Sequence, residues 1–346
     1  MKILVRATNW VGDAVMSLPA LEAIRRARPE AEIVVLARQW VADLYRGQGF
    51  ADRIIAFDPS GRSADAPSAG RAAAELRGQE FDSALLLQNA FQAAWIAWRA
   101  GIRERIGYAR DGRSWLLTKA IPVPRRGEIP AHEAYYYLEL LRRAGWIDRL
   151  PVLEPIRLRV EPAASELAET KLREAGARAG ALRIAFAPGA AYGSAKCWAP
   201  ERYAALAGRL IADFDADVIL FGTAAEHEVT ERIAARMHHH PVDLTGKTTI
   251  GELPALFAAC RLFIGNDSGA MHVAAAAGVP VVAIFGPTDA EGTSPVTSLR
   301  TLVQQHVSCS PCFLRHCPVD HRCMTRVSVD AVYAAARAWV EKVGHA

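Results

Sequence analysis

Short apolar runs alternate with helical periodicity along the first part of the chain. Continuous apolar runs, typical of strands buried in a parallel sheet, occupy residues 2–7, 31–38, 53–57 and 83–88. Between the first two runs, apolar residues recur at helical spacing and predict a helix from about Asp13 to Arg28, ended by Pro29. This strand–helix alternation predicts a parallel sheet with helices on both faces.

The alternation is interrupted and then resumes. A stretch rich in small and polar residues, 59–71, predicts a loop, and aromatic and apolar stripes predict a helix within 125–146. Three prolines within 151–162 lead into a polar helix at 165–176. Further strands are predicted at 182–189, 217–222, 262–267 and 280–286, and further helices at 200–213, 226–237, 249–261 and 329–344.

This pattern predicts an α/β protein with two Rossmann-like domains, in agreement with a length of 346 residues. We place the N-terminal domain at residues 1–160, a linker region at 161–180 and the C-terminal domain at 181–325. The last segment, 328–346, is amphipathic and helical.

Composition narrows the function classes. Apolar residues make up 51% and charged residues 23% of the chain, as in ordinary globular proteins, and the formal charge of +4 is too small to indicate nucleic-acid binding. The N-terminus has only five residues before Arg6 and therefore no apolar h-region, and no apolar run approaches the length of a membrane span, so we expect a cytoplasmic protein and leave peripheral membrane contact open. Neither G-x-G-x-x-G nor a P-loop occurs, which argues against hydride transfer and P-loop chemistry.

The first candidate for chemistry is the segment ATNWVGDAVMSLPAL, residues 7–21, where the first strand meets its helix. It offers Asn9, Trp10, Gly12 and Asp13 at the edge where open α/β sheets bind ligands. Asp13 is either an acid of the first helical turn or a general base at the mouth of a cleft. Its position in the sequence does not choose between the two.

The second candidate is the turn GNDSGAMH, residues 265–272, between a strand and an Ala-rich helix. Small residues allow a ligand close to the backbone, and free N–H groups of the helix start suit a phosphate. The site would comprise Asp267, Ser268, Gly269 and Ala270. The alternative is a tightly packed turn with His272 partly buried beside it.

Two other strand ends in the second half carry charged residues. A Gly-rich loop, 188–203, presents Lys196, which could offset charge on a leaving diphosphate or lie in solvent. Glu226 follows a further strand and is either a first-turn acid or a ligand for ribose hydroxyls.

Basic residues are concentrated between Arg99 and Arg126, a segment that includes Arg103 and Arg105. This run is either a solvated face or a surface for an anionic acceptor or anionic lipid headgroups.

Four of the six cysteines form the pattern C-x2-C-x4-C-x5-C at Cys309, Cys312, Cys317 and Cys323. Such a cluster favours metal or redox chemistry over disulfides in a reducing compartment. Structural zinc and reduced thiols that pack a loop both remain open.

Taken together, these motifs resemble the bacterial ADP-heptose:lipopolysaccharide heptosyltransferases, glycosyltransferase family 9. The resemblance rests on residues 1–21, on the Lys196 loop and on GNDSGAMHVAAAAGVPVVAIFGPTD, residues 265–289. The W-V-G-D form of the first motif and the cysteine-rich segment 309–324 are most like the type II members.

The resemblance implies a GT-B fold whose last helix crosses back to the N-terminal domain. It implies inverting transfer of L-glycero-D-manno-heptose from ADP-heptose to the first heptose of the anionic inner core, heptosyl-Kdo2-lipid A, with no cofactor required. The N-terminal domain would bind the acceptor and the C-terminal domain the donor.

Site roles follow from the same resemblance. Asp13 would be the catalytic base and Lys196 a catalytic and donor-binding residue. Further donor contacts are expected from Glu226, Asp267, Ser268, Gly269, Ala270 and His272, with adenine near Gly246, Lys247 and Thr248. Acceptor contacts are expected from Asn9, Trp10 and Gly12 of the first motif and, because of the charge of the basic run, from Arg103 and Arg105. The alternatives are heptosyltransferase I or III activity on another acceptor, a non-catalytic nucleotide-sugar-binding protein, and an NDP-sugar epimerase.

Overall fold

The structure is a computed structural model that describes residues 1–58 and 67–343. It divides into two compact units, Met1–Leu153 and Glu154–Ala346. Most of the predicted loop at 59–71 lies outside the described residues, and its last part, from Ala69, is helical. Among the described helices, none has the length and apolar character needed to cross a membrane.

The first unit is built on a parallel sheet. Its strands are β1 (Lys2–Arg6), β2 (Glu32–Arg38), β3 (Arg53–Phe57), β4 (Ser83–Leu86), β5 (Glu104–Tyr108) and β6 (Lys119–Ile121). Its helices are α1 (Val11–Met16), α2 (Leu18–Ala27), α3 (Gln39–Tyr45), α4 (Ala69–Arg77), α5 (Phe91–Arg99) and α6 (Glu133–Ala144). The six strands lie in the order β3-β2-β1-β4-β5-β6, and the described pairs are all parallel.

The helix predicted from Asp13 to Arg28 is two helices. α1 ends at Met16 and α2 begins at Leu18, because Pro19 lacks the N–H that a continuous helix needs. The hydroxyl of Ser17 donates to the carbonyl of Ala14 at 2.9 Å and stabilises the junction. The break places Asp13 in the first turn of a short helix of its own.

The second unit repeats the architecture. Its strands are β7 (Arg183–Ala187), β8 (Asp217–Leu220), β9 (Val242–Asp243), β10 (Leu262–Asn266), β11 (Val281–Phe285) and β12 (Arg300–Gln304). Its α-helices are α7 (Pro162–Glu174), α8 (Pro200–Phe214), α9 (His227–Ala234), α10 (Leu253–Ala258), α11 (Gly269–Ala276), α12 (Ala290–Thr293), α13 (Arg322–Thr325) and α14 (Val329–Val343). The strand order is β12-β11-β10-β7-β8-β9, which is the same winding as in the first unit.

The domain boundary and the last helix differ from the expectation. The second unit begins at Glu154, so that the expected linker region 161–180 belongs to it and contains α7. The last helix, α14, was expected with the N-terminal domain but belongs to the second unit. The physical reason is its apolar face, which joins the core around β10 and β11, while Trp339 donates from Nε1 to Thr301 at 3.0 Å.

Candidate active site

Each sheet has a point at its centre where the winding reverses direction. In the second unit this point lies between β7 and β10, which pair in parallel. Ligands of open α/β sheets bind outside the carboxyl ends of the strands at such points. The loops that follow β7 and β10 carry Lys196 and Asp267, so the structure brings these two predicted residues to the ligand-binding edge.

Lys196 and Asp267 form an ion pair. The lysine Nζ lies 2.6 Å from Oδ2 of Asp267, and both side chains are largely buried. The same Oδ2 accepts a hydrogen bond from the hydroxyl of Thr288 at 2.6 Å. Two donors on one oxygen fix the orientation of the Asp267 carboxylate beside Lys196.

Asn266 positions the Lys196 loop and is fully buried. Its Oδ1 accepts hydrogen bonds from the backbone N–H of Trp198 at 3.1 Å and from the hydroxyl of Tyr203 at 3.0 Å. Its Nδ2 donates to the carbonyl of Pro188 at 2.6 Å. One side chain therefore connects the end of β10 with both ends of the loop that presents Lys196.

The start of α11 has the features of an anion site. Ser268 precedes the helix in an extended conformation and makes no side-chain cap, and its buried Oγ has no hydrogen-bond partner among the described residues. The first N–H groups of a helix also lack intrahelical acceptors. Gly269 and Ala270 leave room at this end for a phosphate. His272 lies on the same helix and is buried, with 4% of its surface exposed.

Glu226 lies beside the loop that follows β7. It accepts hydrogen bonds from the backbone N–H and the hydroxyl of Thr223, at 2.7 and 2.9 Å. A Cβ atom added to Gly189 would lie 1.8 Å from Oε1 of Glu226, so the glycine leaves the space in which this carboxylate lies. Sequence reasoning missed Gly189, although a glycine directly after a strand was the available signal.

The residues expected near adenine follow β9 at the same edge. Gly246 has a φ of 70° and its N–H donates to the carbonyl of Gly222 at 2.9 Å. The ammonium of Lys247 donates to the carbonyl of Asp243 at 2.8 Å, which turns it towards its own loop. Thr248 follows directly and is half-buried.

In the first unit the corresponding point lies between β1 and β4, and the loop after β1 carries the first motif. Asn9 is held by Arg6, whose Nη2 donates to Asn9 Oδ1 at 2.7 Å, and by Trp40, whose Nε1 donates to the Asn9 carbonyl at 3.1 Å. Trp10 is 52% exposed. Gly12 and Asp13 are half-buried in the first turn of α1.

A second carboxylate, Glu133, interacts with Asp13. It opens α6, which packs against α1. Burial and the charge of Asp13 raise the pKa of Glu133 from 4.5 to about 7, while Arg110 acts in the opposite sense. The two carboxylates therefore share one electrostatic environment. Paired acids of this kind can act separately, one ionised as a base and the other holding a proton. Sequence reasoning missed Glu133; its signal was an acid at the start of an apolar helix.

Arg103 and Arg105 do not lie at this edge. They stand at the amino end of β5, and because β5, β4 and β1 run parallel, Asp13 is at the opposite edge. Arg105 also donates from Nε to the carbonyl of Leu116 at 2.6 Å, so its guanidinium supports a loop. This placement does not fit the expected contact with an acceptor held near Asp13.

Other arginines of the basic run occupy the carboxyl end of β5. Arg110 is exposed, and a hydrogen bond to Tyr136 raises its pKa. Arg113 is fully buried and donates from Nη2 to Asn89 Oδ1 at 3.2 Å, while Asn89 donates to the hydroxyl of Tyr136 at 2.9 Å. Arg110 is thus an exposed cation on the side of Asp13 and Glu133.

Two Rossmann-like units, with a carboxylate at the edge of one and a lysine–aspartate pair beside a helix start in the other, are the architecture of the GT-B class of glycosyltransferases. The family model of glycosyltransferase family 9 (heptosyltransferase) matches residues 69–322 of this chain. The chain belongs to this family.

Individual relatives agree with the family assignment. The chain is 31% identical to lipopolysaccharide heptosyltransferase 2 of Escherichia coli strain K12, over 88% of each chain. It is 32% identical to lipooligosaccharide heptosyltransferase 2 of Haemophilus influenzae, again over 88% of each. The solved structure of E. coli ADP-heptose LPS heptosyltransferase II superposes with a TM-score of 0.85 at 28% identity, covering 99% of this chain and 100% of that one.

Proposed function

We propose that this protein is an inverting heptosyltransferase of type II, which moves L-glycero-D-manno-heptose from ADP-heptose to the first heptose of the lipopolysaccharide inner core. The observation that carries the proposal is the Lys196–Asp267 pair at the start of α11, at the winding reversal of the second sheet. The similarity to proteins named heptosyltransferase 2 supports the donor and acceptor classes.

The donor groups act on the diphosphate and on the sugar. Lys196 and the free N–H groups at Ser268, Gly269 and Ala270 stabilise negative charge on the leaving diphosphate. Asp267 accepts hydrogen bonds from heptose hydroxyls, and Glu226 accepts them from the ribose. Because amides and an ammonium supply the charge stabilisation, the proposed reaction needs no metal ion.

The acceptor groups act on the hydroxyl that attacks. Asp13 takes the proton of this hydroxyl as its oxygen forms a bond to the anomeric carbon. The bond from that carbon to the diphosphate oxygen breaks, and ADP leaves with the bonding electrons. A single displacement of this kind inverts the anomeric centre. Arg110 binds the anionic part of the acceptor in place of Arg103 and Arg105.

We place the reaction in the cytoplasm, at the cytoplasmic face of the inner membrane, because the proposed acceptor is anchored there by its lipid. The exposed Trp10 and Trp40 beside the first motif support a contact with a lipid-anchored acceptor.

The test is ADP release from ADP-heptose by the purified protein, with no acceptor, with Kdo2-lipid A and with heptosyl-Kdo2-lipid A. We expect release only with the heptosylated acceptor. Release with Kdo2-lipid A would reassign the protein to type I, and release in none of the three would favour the non-catalytic nucleotide-sugar-binding alternative. Consumption of ADP-heptose without acceptor would favour the epimerase alternative.

Asp13→Asn is the matched variant. It keeps the size of the side chain but removes the base, so turnover should fall by at least about a thousandfold, while ADP affinity measured by calorimetry stays unchanged. Turnover within tenfold of the wild type would remove Asp13 from the base role.

A further inference from the structure

The cysteine segment, residues 309–323, surrounds a cavity. All four of its thiols line this cavity of about 230 Å³, together with Ala195, Pro287 and His321. Cys323 is buried at the start of α13, while Cys309 and Cys317 are exposed. The pattern C-x2-C-x4-C-x5-C thus brings four soft ligand atoms around one space.

The cysteine segment also holds the Lys196 loop. The backbone N–H of Ala195 donates to the carbonyl of Arg315 at 3.0 Å, and the hydroxyl of Tyr192 donates to the carbonyl of Phe313 at 2.7 Å. Ser194 Oγ lies 2.9 Å from Nδ1 of His316. Nε2 of His321 lies 2.6 Å from the carbonyl oxygen of Ala195. The contacts are spread along the loop immediately before Lys196.

The same segment reaches the loop after β11. The backbone N–H groups of Cys312 and Phe313 both donate to the carbonyl of Pro287 at 2.9 Å. Ser310 Oγ donates to the carbonyl of Gly286. Thr288, whose hydroxyl donates to Asp267, directly follows Pro287. The cysteine segment therefore supports both loops that orient the Lys196–Asp267 pair.

The thiols are not paired with one another. All four cysteines are free. Within residues 1–58 and 67–343, no group of three or more His, Cys, Asp or Glu side chains is already placed to hold a metal ion. Between the end of β12 at Gln304 and the start of α13 at Arg322 there is no helix or strand. Bringing the thiols of Cys309, Cys312 and Cys317 together around the cavity therefore breaks no hydrogen bond of the sheet.

We propose that the cysteine segment binds one divalent transition-metal ion, zinc or iron, through Cys309, Cys312, Cys317 and Cys323, and that this ion fixes the Lys196 loop. Four thiolates with short spacings are a ligand set for tetrahedral zinc or iron. The ion is structural, because its ligands line a cavity behind the loop and the ammonium of Lys196 is paired with Asp267 instead.

The metal content of the full chain tests the proposal. The protein is purified under reducing conditions without chelator, incubated with Zn²⁺ or Fe²⁺, desalted and analysed for both elements. We expect about one ion per chain. The variant Cys309→Ser/Cys317→Ser should lose it, and since both side chains are exposed, the variant should still fold. The matched control is Cys260→Ser, a cysteine outside the segment, which should retain the ion.

The second readout is ADP affinity, which rests on the proposed function. It should fall in the double variant and not in the control. Less than a tenth of an ion per wild-type chain, equal metal in wild type and double variant, or a thiol titration that shows two disulfides would each overturn the metal site. Metal binding without any heptose transfer would leave the site standing and contradict only the proposed function.

Discussion

At the scale of single residues, Gly189 leaves the space that Glu226 occupies. Gly189→Ala would put a methyl group against the end of a flexible side chain, so we expect the fold to persist and Glu226 to move away. ADP affinity should fall by about 10- to 100-fold, which corresponds to the loss of one hydrogen bond to a charged group. Calorimetric titration with ADP measures this change.

The control for Gly189→Ala is Gly208→Ala. Gly208 lies inside α8 with open space around its Cβ position, and alanine there should leave ADP affinity unchanged and stabilise the helix by about 0.5–1 kcal/mol. Equal ADP affinity in the two variants would contradict a ribose contact by Glu226.

Arg110 and Arg103 provide a second matched pair, because both are exposed but lie at opposite ends of β5. Arg110→Glu should raise the acceptor KM on the order of tenfold and leave the donor KM unchanged. Arg103→Glu should change neither. Steady-state kinetics with both substrates varied measures this, and an equal rise in acceptor KM for both variants would refute the assignment.

Glu133 makes stability depend on pH. Its pKa is raised from 4.5 to about 7 in the folded protein. Its contribution to the free energy of unfolding is therefore fully present below pH 4.5 and is lost as the pH rises through 7. Glu133→Gln should therefore raise the free energy of unfolding relative to the wild type more at pH 8 than at pH 4.5. The difference between the two pH values should be up to about 3 kcal/mol. Urea unfolding at the two pH values measures the difference, and an equal effect at both would contradict a raised pKa.

The predicted residues that the structure places at the ligand-binding edge lie in loops that follow a strand. Lys196 and Asp267 lie at carboxyl ends of β7 and β10, an edge that is defined once the strands are recognised. Glu133 and Arg110 were missed because they join Asp13 only through the packing of α6 and the position of β5. Arg103 and Arg105 were assigned by charge alone, which does not reveal the end of a strand.

At the scale of elements, the strands that are continuous apolar runs were predicted and the others were not. The predicted strands are β1, β2, β3, β4, β7, β8, β10 and β11, and buried parallel strands impose this pattern. The helices α3, α4, α5, α12 and α13 and the strands β5, β6, β9 and β12 were not predicted. Edge strands such as β6 and β9 are three and two residues long, too short for a periodicity. The end of α1 was missed because apolar spacing continues through Ser17 into α2.

Gly193 joins two elements, the Lys196 loop and the cysteine segment. Its φ is 155°, and an added Cβ would lie 2.3 Å from the carbonyl oxygen of Arg315. Gly193→Ala should separate the loop from the cysteine segment and weaken ADP binding. Calorimetric titration with ADP and thermal unfolding measure the two effects.

Gly180→Ala controls for backbone strain. Gly180 also has a positive φ, 74°, but open space at its Cβ position, so alanine there should cost stability without reducing ADP affinity. If both variants lost the same ADP affinity, strain rather than the contact with Arg315 would explain the effect.

At the scale of the whole molecule, the two units share one winding but carry different chemistry at the reversal point. We expect ADP to protect backbone amides in the second unit, at the loops after β7, β8 and β10, and to leave the first unit unchanged. Hydrogen exchange followed by mass spectrometry, with and without ADP, measures this. Protection centred on residues 9–13 would contradict the division of roles.

The contact between the Lys196 loop and the cysteine segment also orders events during synthesis. Ser194 and His316 are 122 positions apart, so the ribosome adds the supporting residues only after β7 to β12 have been made. A nascent chain shorter than about 309 residues has the second sheet, Asn266 and Asp267, but lacks the contacts of the cysteine segment to the Lys196 loop. The proposed donor site is therefore completed near the end of translation, and we expect truncated products to bind ADP-heptose more weakly.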